Sequence, residues 1–186
     1  MFAVGELIFY GNEGVCRVEA IGVPPLPGVP GGREYYTLCP LYREEKIYIP
    51  VDTQVFMRPV ISREEALALI ARIPCLTAQV CEERNPRLRS EQYRASLRTH
   101  DCDDLVRLIK SVHGKQRAAS QRGKKLGQAE EQFGKRAEEL LHGELAVALG
   151  IEKDAVPAFI AAYLRENEAA QAGAARGQEE APGPEA

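Results

Sequence analysis

Val4-Gly5-Glu6-Leu7-Ile8-Phe9-Tyr10, then Gly11-Asn12-Glu13-Gly14, then Val15-Cys16-Arg17-Val18-Glu19-Ala20-Ile21-Gly22 reads as two short strands joined by a turn. Apolar, β-branched and aromatic residues fill the runs, and Gly and Asn punctuate them. A Pro/Gly-rich loop from Val23 to Gly32 follows, and then further strand-like runs at Tyr35-Tyr36-Thr37-Leu38-Cys39 and Lys46-Ile47-Tyr48-Ile49-Pro50-Val51. In the second strand, alternation sends Val15, Arg17, Glu19 and Ile21 to one face and Cys16, Val18 and Ala20 to the other. Ile47, Ile49 and Val51 are expected to point inward. A sheet this small is expected to twist and close into a barrel. It leaves little room for a catalytic cleft, but an exposed strand edge suits the backbone of another protein.

Beyond residue 60 the period changes from two to that of a helix. Ser62-Arg63-Glu64-Glu65 fits a capping box, Ala66, Leu67, Leu69, Ile70 and Ile73 form an apolar stripe, and Pro74 stops the helix. A polar stretch from Cys81 to Arg89 leads to a short helix from Ser90 to about Arg98, with Tyr93 and Leu97 facing inward. The next helix runs from Asp101 to about Ala119, its amino end favoured by Asp101, Asp103 and Asp104. Arg122-Gly123-Lys124-Lys125 links it to the longest helix, about Leu126 to Leu149, which Gly150 closes. A last helix spans about Lys153 to Arg165. The fold class expected is therefore α+β and multidomain. Residues 1–60 are a Tudor- or SH3-like β-barrel, 61–165 an all-helical domain, and 166–186 a disordered acidic tail.

Charge is segregated along this chain. The formal net charge is -3, yet residues 84 to 136 carry fourteen basic against six acidic side chains. The tail from Glu166 onward holds five acids and one base. A local excess of about eight positive charges is the footprint expected of a phosphate-contacting surface. Arg87, Leu88, Arg89 and Arg94 gather at and after the start of the second helix, and Lys124, Lys125, Lys135 and Arg136 in the linker and early turns of the long one. Salt bridges to neighbours such as Glu130 or Glu138 are the alternative use for any one of these cations.

No constellation points to catalysis, a metal or a cofactor, and none is expected. His100, His113 and His142 share no ligand spacing with each other or with Cys or Asp. Asp101, Asp103 and Asp104 read as a helix cap and not as a calcium loop. Gly28-Val29-Pro30-Gly31-Gly32 lacks the Lys-Ser/Thr ending of a phosphate loop. The five cysteines form no C-x-x-C unit, and reduced, mostly buried thiols are expected. No apolar run reaches the roughly 20 residues a membrane span needs, and the amino terminus does not read as a secretory signal, so a cytoplasmic location is expected.

The pieces together resemble the CarD/CdnL family of bacterial transcription regulators, whose amino-terminal module is shared with the polymerase-binding part of the transcription-repair coupling factor. The residues behind this are Val4-Gly5, the Tyr10-x3-Gly14 turn, Val18-Glu19-Ala20-Ile21, the Tyr35 strand and Ile49-Pro50-Val51. Farther on come Tyr93-Arg94-x2-Leu97, Asp104-Leu105-Val106 and Leu140-Leu141-x-Gly143-Glu144-Leu145-Ala146. The resemblance implies a barrel that docks on the RNA polymerase β subunit by pairing strand edges. It also implies a helical domain that contacts promoter DNA at the upstream edge of the melted bubble and stabilises the open complex. A monomer associated with the nucleoid is expected. Arg43, Lys46 and Tyr48 are the polymerase-binding residues expected on that basis.

The chain departs from the family pattern in two places. Many members carry a Trp wedge four residues before the match to Tyr93; this chain has no Trp, and Arg89 stands there beside Leu88. Either residue is a candidate substitute, by stacking or as an apolar wedge, and loss of the wedge is the other possibility. Barrel arginines that grip polymerase are matched here by Pro24 and Tyr48. The basic position in the long helix persists as Arg136. Two rival classes stay open: an adaptor of polymerase that does not bind DNA, and an RNA-binding protein. Adjacent Tyr35 and Tyr36 point to opposite faces, which argues against the latter.

Overall fold

The structure is a computed structural model, and it describes residues 1–25, 32–78 and 85–179. Five strands form one antiparallel sheet: β1 (Leu7–Tyr10), β2 (Gly14–Gly22), β3 (Tyr35–Pro40), β4 (Ile47–Pro50) and β5 (Met57–Pro59). Their spatial order is β4-β3-β2-β1-β5. β4 and β5 are thus edges that do not pair with each other, and the expected closed barrel is an open sheet. The parts of the Pro/Gly loop and of the Cys81–Arg89 stretch that fall at 26–31 and 79–84 lie outside the described residues.

Openness follows from how the two faces are covered. One face gathers Ile8, Tyr10, Cys16, Val18, Tyr36, Leu38 and Ile49 into a small core of its own, with Ile47 and Val51 against it, as their alternation predicts. The opposite face offers Phe9 and Val15, and these belong to the main core with the helices. Burying that second face on helices removes the need to curl the sheet shut. A bulge between Val18 and Ala20 in β2 shifts the register by one residue. Ile21 thereby joins the face of Val18, where simple alternation placed it with Val15.

The helices are α1 (Arg63–Arg72), α2 (Pro86–Arg98), α3 (Cys102–Gln121), α4 (Gln128–Leu149) and α5 (Val156–Glu179). Ser62 caps α1 in a full capping box with Glu65. α2 starts at Pro86, four residues before the expected Ser90, because the Asn85 side chain caps it and Pro86 occupies the first turn. Asp101 caps α3, accepting from the amides of Asp103 and Asp104, so the acidic cluster is a cap. α4 ends at Gly150 with φ 70. α5 continues to Glu179 and so passes the expected end at Arg165; alanines at 169, 170, 172, 174 and 175 favour the extension.

The long α4 is the axis of the molecule. It packs on α3 so closely that a Cβ at Gly134 would lie 2.7 Å from a methyl of Val112. On another side it meets the sheet: a Cβ at Gly14, the first residue of β2, would lie 3.2 Å from a methyl of Leu140, and the φ of +85 there calls for glycine. The Tyr42 hydroxyl, just after β3, donates to the Gly143 carbonyl at 3.0 Å, and its ring lies beneath Lys153 at 4.8 Å.

Candidate polymerase and nucleic-acid interfaces

Of the expected protein-binding residues, Tyr48 lies on the β4 edge strand, and Lys46 and Arg43 lie in the connection from β3. Tyr48 sits on this strand opposite Thr37 of β3, half-buried. Lys46 precedes it and pairs with Glu19 of β2 at 2.8 Å. Arg43 pairs with Glu13 of the β1–β2 turn at 3.0 Å. Both cations are about half exposed, so these pairs add little to stability. The hydrogen bond from Lys46, followed by one from the Cys39 thiol, holds the Glu19 carboxyl below its usual range. Pro24 is buried, and so contributes nothing to this edge.

The expected DNA-binding residues fall into three settings. Arg87 and Leu88 lie exposed on the first turn of α2, with Leu88 46% accessible. Lys124 and Lys125 lie exposed in the α3–α4 link, where Gly123 turns the chain with φ 65. These two ends meet through Glu130 in the first turn of α4. Its carboxylate lies 3.4 Å from Arg89 Nε and 3.0 Å from Lys115 Nζ. Lys115 also donates to the Tyr93 hydroxyl at 2.7 Å. Lys135 pairs with Glu131 at 2.8 Å, and that pair, with help from nearby Lys125, lowers the Glu131 carboxyl.

The remaining two stand apart. Arg94 is seven residues from Arg87 on the outer, exposed stripe of α2. Arg136 is turned toward the sheet: it donates to the Asn12 carbonyl in the β1–β2 turn and pairs with Glu139 at 2.8 Å. The basic end therefore consists of Arg87, Arg89, Lys124 and Lys125 with Lys135 beside them, and Lys115, which the sequence reading passed over, is tied into it.

Sequence reasoning also missed a buried cluster where β5 meets α3 and α4. Glu144, fully buried on α4, pairs with Arg58 of β5. Burial opposes the Arg58 charge, but the hydrogen bond and charge of Glu144 outweigh it and raise the guanidinium pKa. Beside them the Cys102 thiol is pushed up to about 12 by burial and by Glu144. A lone carboxylate inside the apolar run Leu140 to Ala146 was the available signal. Next to this cluster a cleft of about 450 Å3 opens, lined by Phe56, Ile61, Leu69, Arg72 and His100 among others. Its charges are matched internally, Arg72 pairing with Asp103 at 2.8 Å. Among the described residues no group of His, Cys, Asp and Glu could hold a metal ion, and no helix is long and apolar enough to cross a membrane. Cys16, Cys39, Cys75 and Cys102 are free thiols, but only Cys16 is buried, Cys39 and Cys102 being intermediate and Cys75 exposed.

A small open sheet with β4 at one edge is thus joined to a helical unit with a basic end. Residues 2–61 match the CarD-like/TRCF RID domain family. The amino-terminal part of the chain belongs to that family, and the protein is an RNA polymerase-interacting one. No curated protein matches the chain.

Proposed function

We propose that this chain is a non-enzymatic transcription regulator that bridges the RNA polymerase β subunit and promoter DNA. The β4 edge, with Tyr48, adds to a strand of the β subunit, flanked by Lys46 and Arg43 of the connection from β3. The basic end, with Arg87, Arg89, Lys124 and Lys125, rests on the phosphate backbone near the upstream edge of the bubble, and Leu88 is the side chain placed to press on exposed bases. Binding that favours the melted promoter over the closed one shifts the equilibrium by the difference in affinity, without chemistry. The observation that carries this reading is the meeting of the α2 and α4 amino ends around Glu130, in a chain whose first sixty residues are a polymerase-interaction domain.

Occupation of Arg89, Lys135 and Arg136 by Glu130, Glu131 and Glu139 favours a second reading, a polymerase adaptor that leaves DNA alone. An RNA-binding role is weaker: Tyr36 is buried, its hydroxyl accepting from the Phe2 amide, so its ring is not offered to a base.

Titration of a forked promoter fragment with added salt separates the first two. Phosphate contacts release counterions, so affinity is expected to fall steeply with salt, with a log–log slope shallower by about 3–4 when Arg87, Arg89, Lys124 and Lys125 are replaced by Ala. Weak binding with no salt slope and no effect of the quadruple variant would leave the adaptor.

A further inference from the structure

Glu144 is the only fully buried acid among the described residues. Its carboxylate accepts from both terminal nitrogens of Arg58, with Nη2 at 2.8 Å. It also accepts from the Ile61 amide at 3.1 Å and from the Cys102 thiol at 3.4 Å. Arg58 in turn donates to the His100 carbonyl at 3.2 Å and lies 4.7 Å over the Phe9 ring. One ion pair thus engages β1, β5, the connection to α1, the exit of α2, the first turn of α3, and α4.

Apart from the hydrogen bonds of the Tyr42 hydroxyl to the Gly143 carbonyl and of Arg136 to the Asn12 carbonyl, both outside the buried cluster, the contacts around it have no such direction. Phe9 and Val15 meet the helices through apolar surface, which tolerates many docking angles at similar free energy. A buried ion pair behaves differently. Desolvation offsets its attraction, so it adds little stability over apolar residues of the same shape, yet it is satisfied in only one arrangement.

We infer that the Arg58–Glu144 pair is a registry pin that selects one docking angle of the sheet on the helices. It thereby holds the β4 edge and the basic end at a fixed distance and orientation, so that the protein bridges its partners as a rigid piece. The consequence for bridging rests on the proposed function; the pin itself does not.

Backbone residual dipolar couplings of the full chain, fitted separately for the sheet and the helices, test the pin with no partner present. The wild type is expected to give one alignment tensor for both parts. Arg58→Met/Glu144→Leu, which removes both charges together, is expected to melt cooperatively yet give two different tensors. Arg58→Lys is expected to do so in milder form, because an ammonium lacks the planar fork that spans Glu144 and the His100 carbonyl. Two tensors in the wild type would overturn the pin, as would one shared tensor at an unchanged angle in either folded variant; if the double variant does not fold, Arg58→Lys decides. The bridging consequence has its own readout. A folded, unpinned variant should bind the β subunit and DNA separately as well as the wild type, yet lose open-complex lifetime when both are present. An unchanged lifetime would show that the docking angle is not used in bridging.

Discussion

His100 concentrates several unusual properties in one residue. It follows α2 with φ 54, a conformation that glycine or asparagine adopts more readily. Its ring stacks on Phe56 at 4.7 Å and is buried, and its Nδ1 has no hydrogen-bond partner among the described residues. Burial, then the charge of Arg58, lowers its pKa from the ordinary value of 6.5. His142 on α4 is lowered too, by burial first, with Glu138 opposing and Lys153 adding. A histidine that resists protonation when folded accepts the proton more readily when unfolded, so stability is full above pH 6.5 and declines as pH falls below it. The melting temperature should therefore fall between pH 7.5 and 5.5. The fall should be smaller in His100→Asn/His142→Gln, in which Asn keeps the left-handed backbone; an equal fall would assign the acid sensitivity elsewhere. The sequence showed three histidines without a ligand pattern, but nothing in it marked His100 as buried, since its partners Phe9 and Arg58 lie on the sheet and Phe56 just before β5.

Among the elements, α4 carries the closest packing, and Gly134 is its tightest point. Alanine in a helix interior is favoured over glycine by about 1 kcal/mol, but here its Cβ would lie 2.7 Å from a Val112 methyl. Pushing α3 and α4 apart costs about 1–3 kcal/mol, so Gly134→Ala is expected to lower stability in thermal or denaturant unfolding. A gain would show that Val112 moves aside freely. Helix existence and inner faces were legible because their signals are local: Ser62 and Glu65 cap α1, and Tyr93 and Leu97 are buried on α2 as their spacing predicts. The start of α2 was read four residues late, at Ser90, because the cap at Asn85 and Pro86 in the first turn lay within what reads as a polar stretch. Strand positions could be read from Leu7 to Pro50, but closure could not. Whether β4 meets β5 depends on what covers Phe9 and Val15, and that cover is the helical core, to which α4 contributes from more than a hundred residues away.

For the whole molecule, the features that set function are long-range contacts. Residues of one kind, the cations after residue 84, could be read as a group, and the fold does join Arg87, Arg89, Lys124 and Lys125 at one end. It also draws Arg136 away to the β1–β2 turn and ties in Lys115, both through partners no local pattern reveals. The Arg58–Glu144 pair is the same kind of feature, linking positions 86 apart in the chain. In the proposed function, docking through the β4 edge decides whether the basic end matters for transcription. Capture of the full chain on the isolated amino-terminal lobe of the RNA polymerase β subunit is the most direct test, with Tyr48→Glu as the edge-strand control. Binding that Tyr48→Glu weakens while leaving the melting temperature unchanged is the expected result; a folded wild-type chain that the lobe does not retain would contradict docking through the β4 edge.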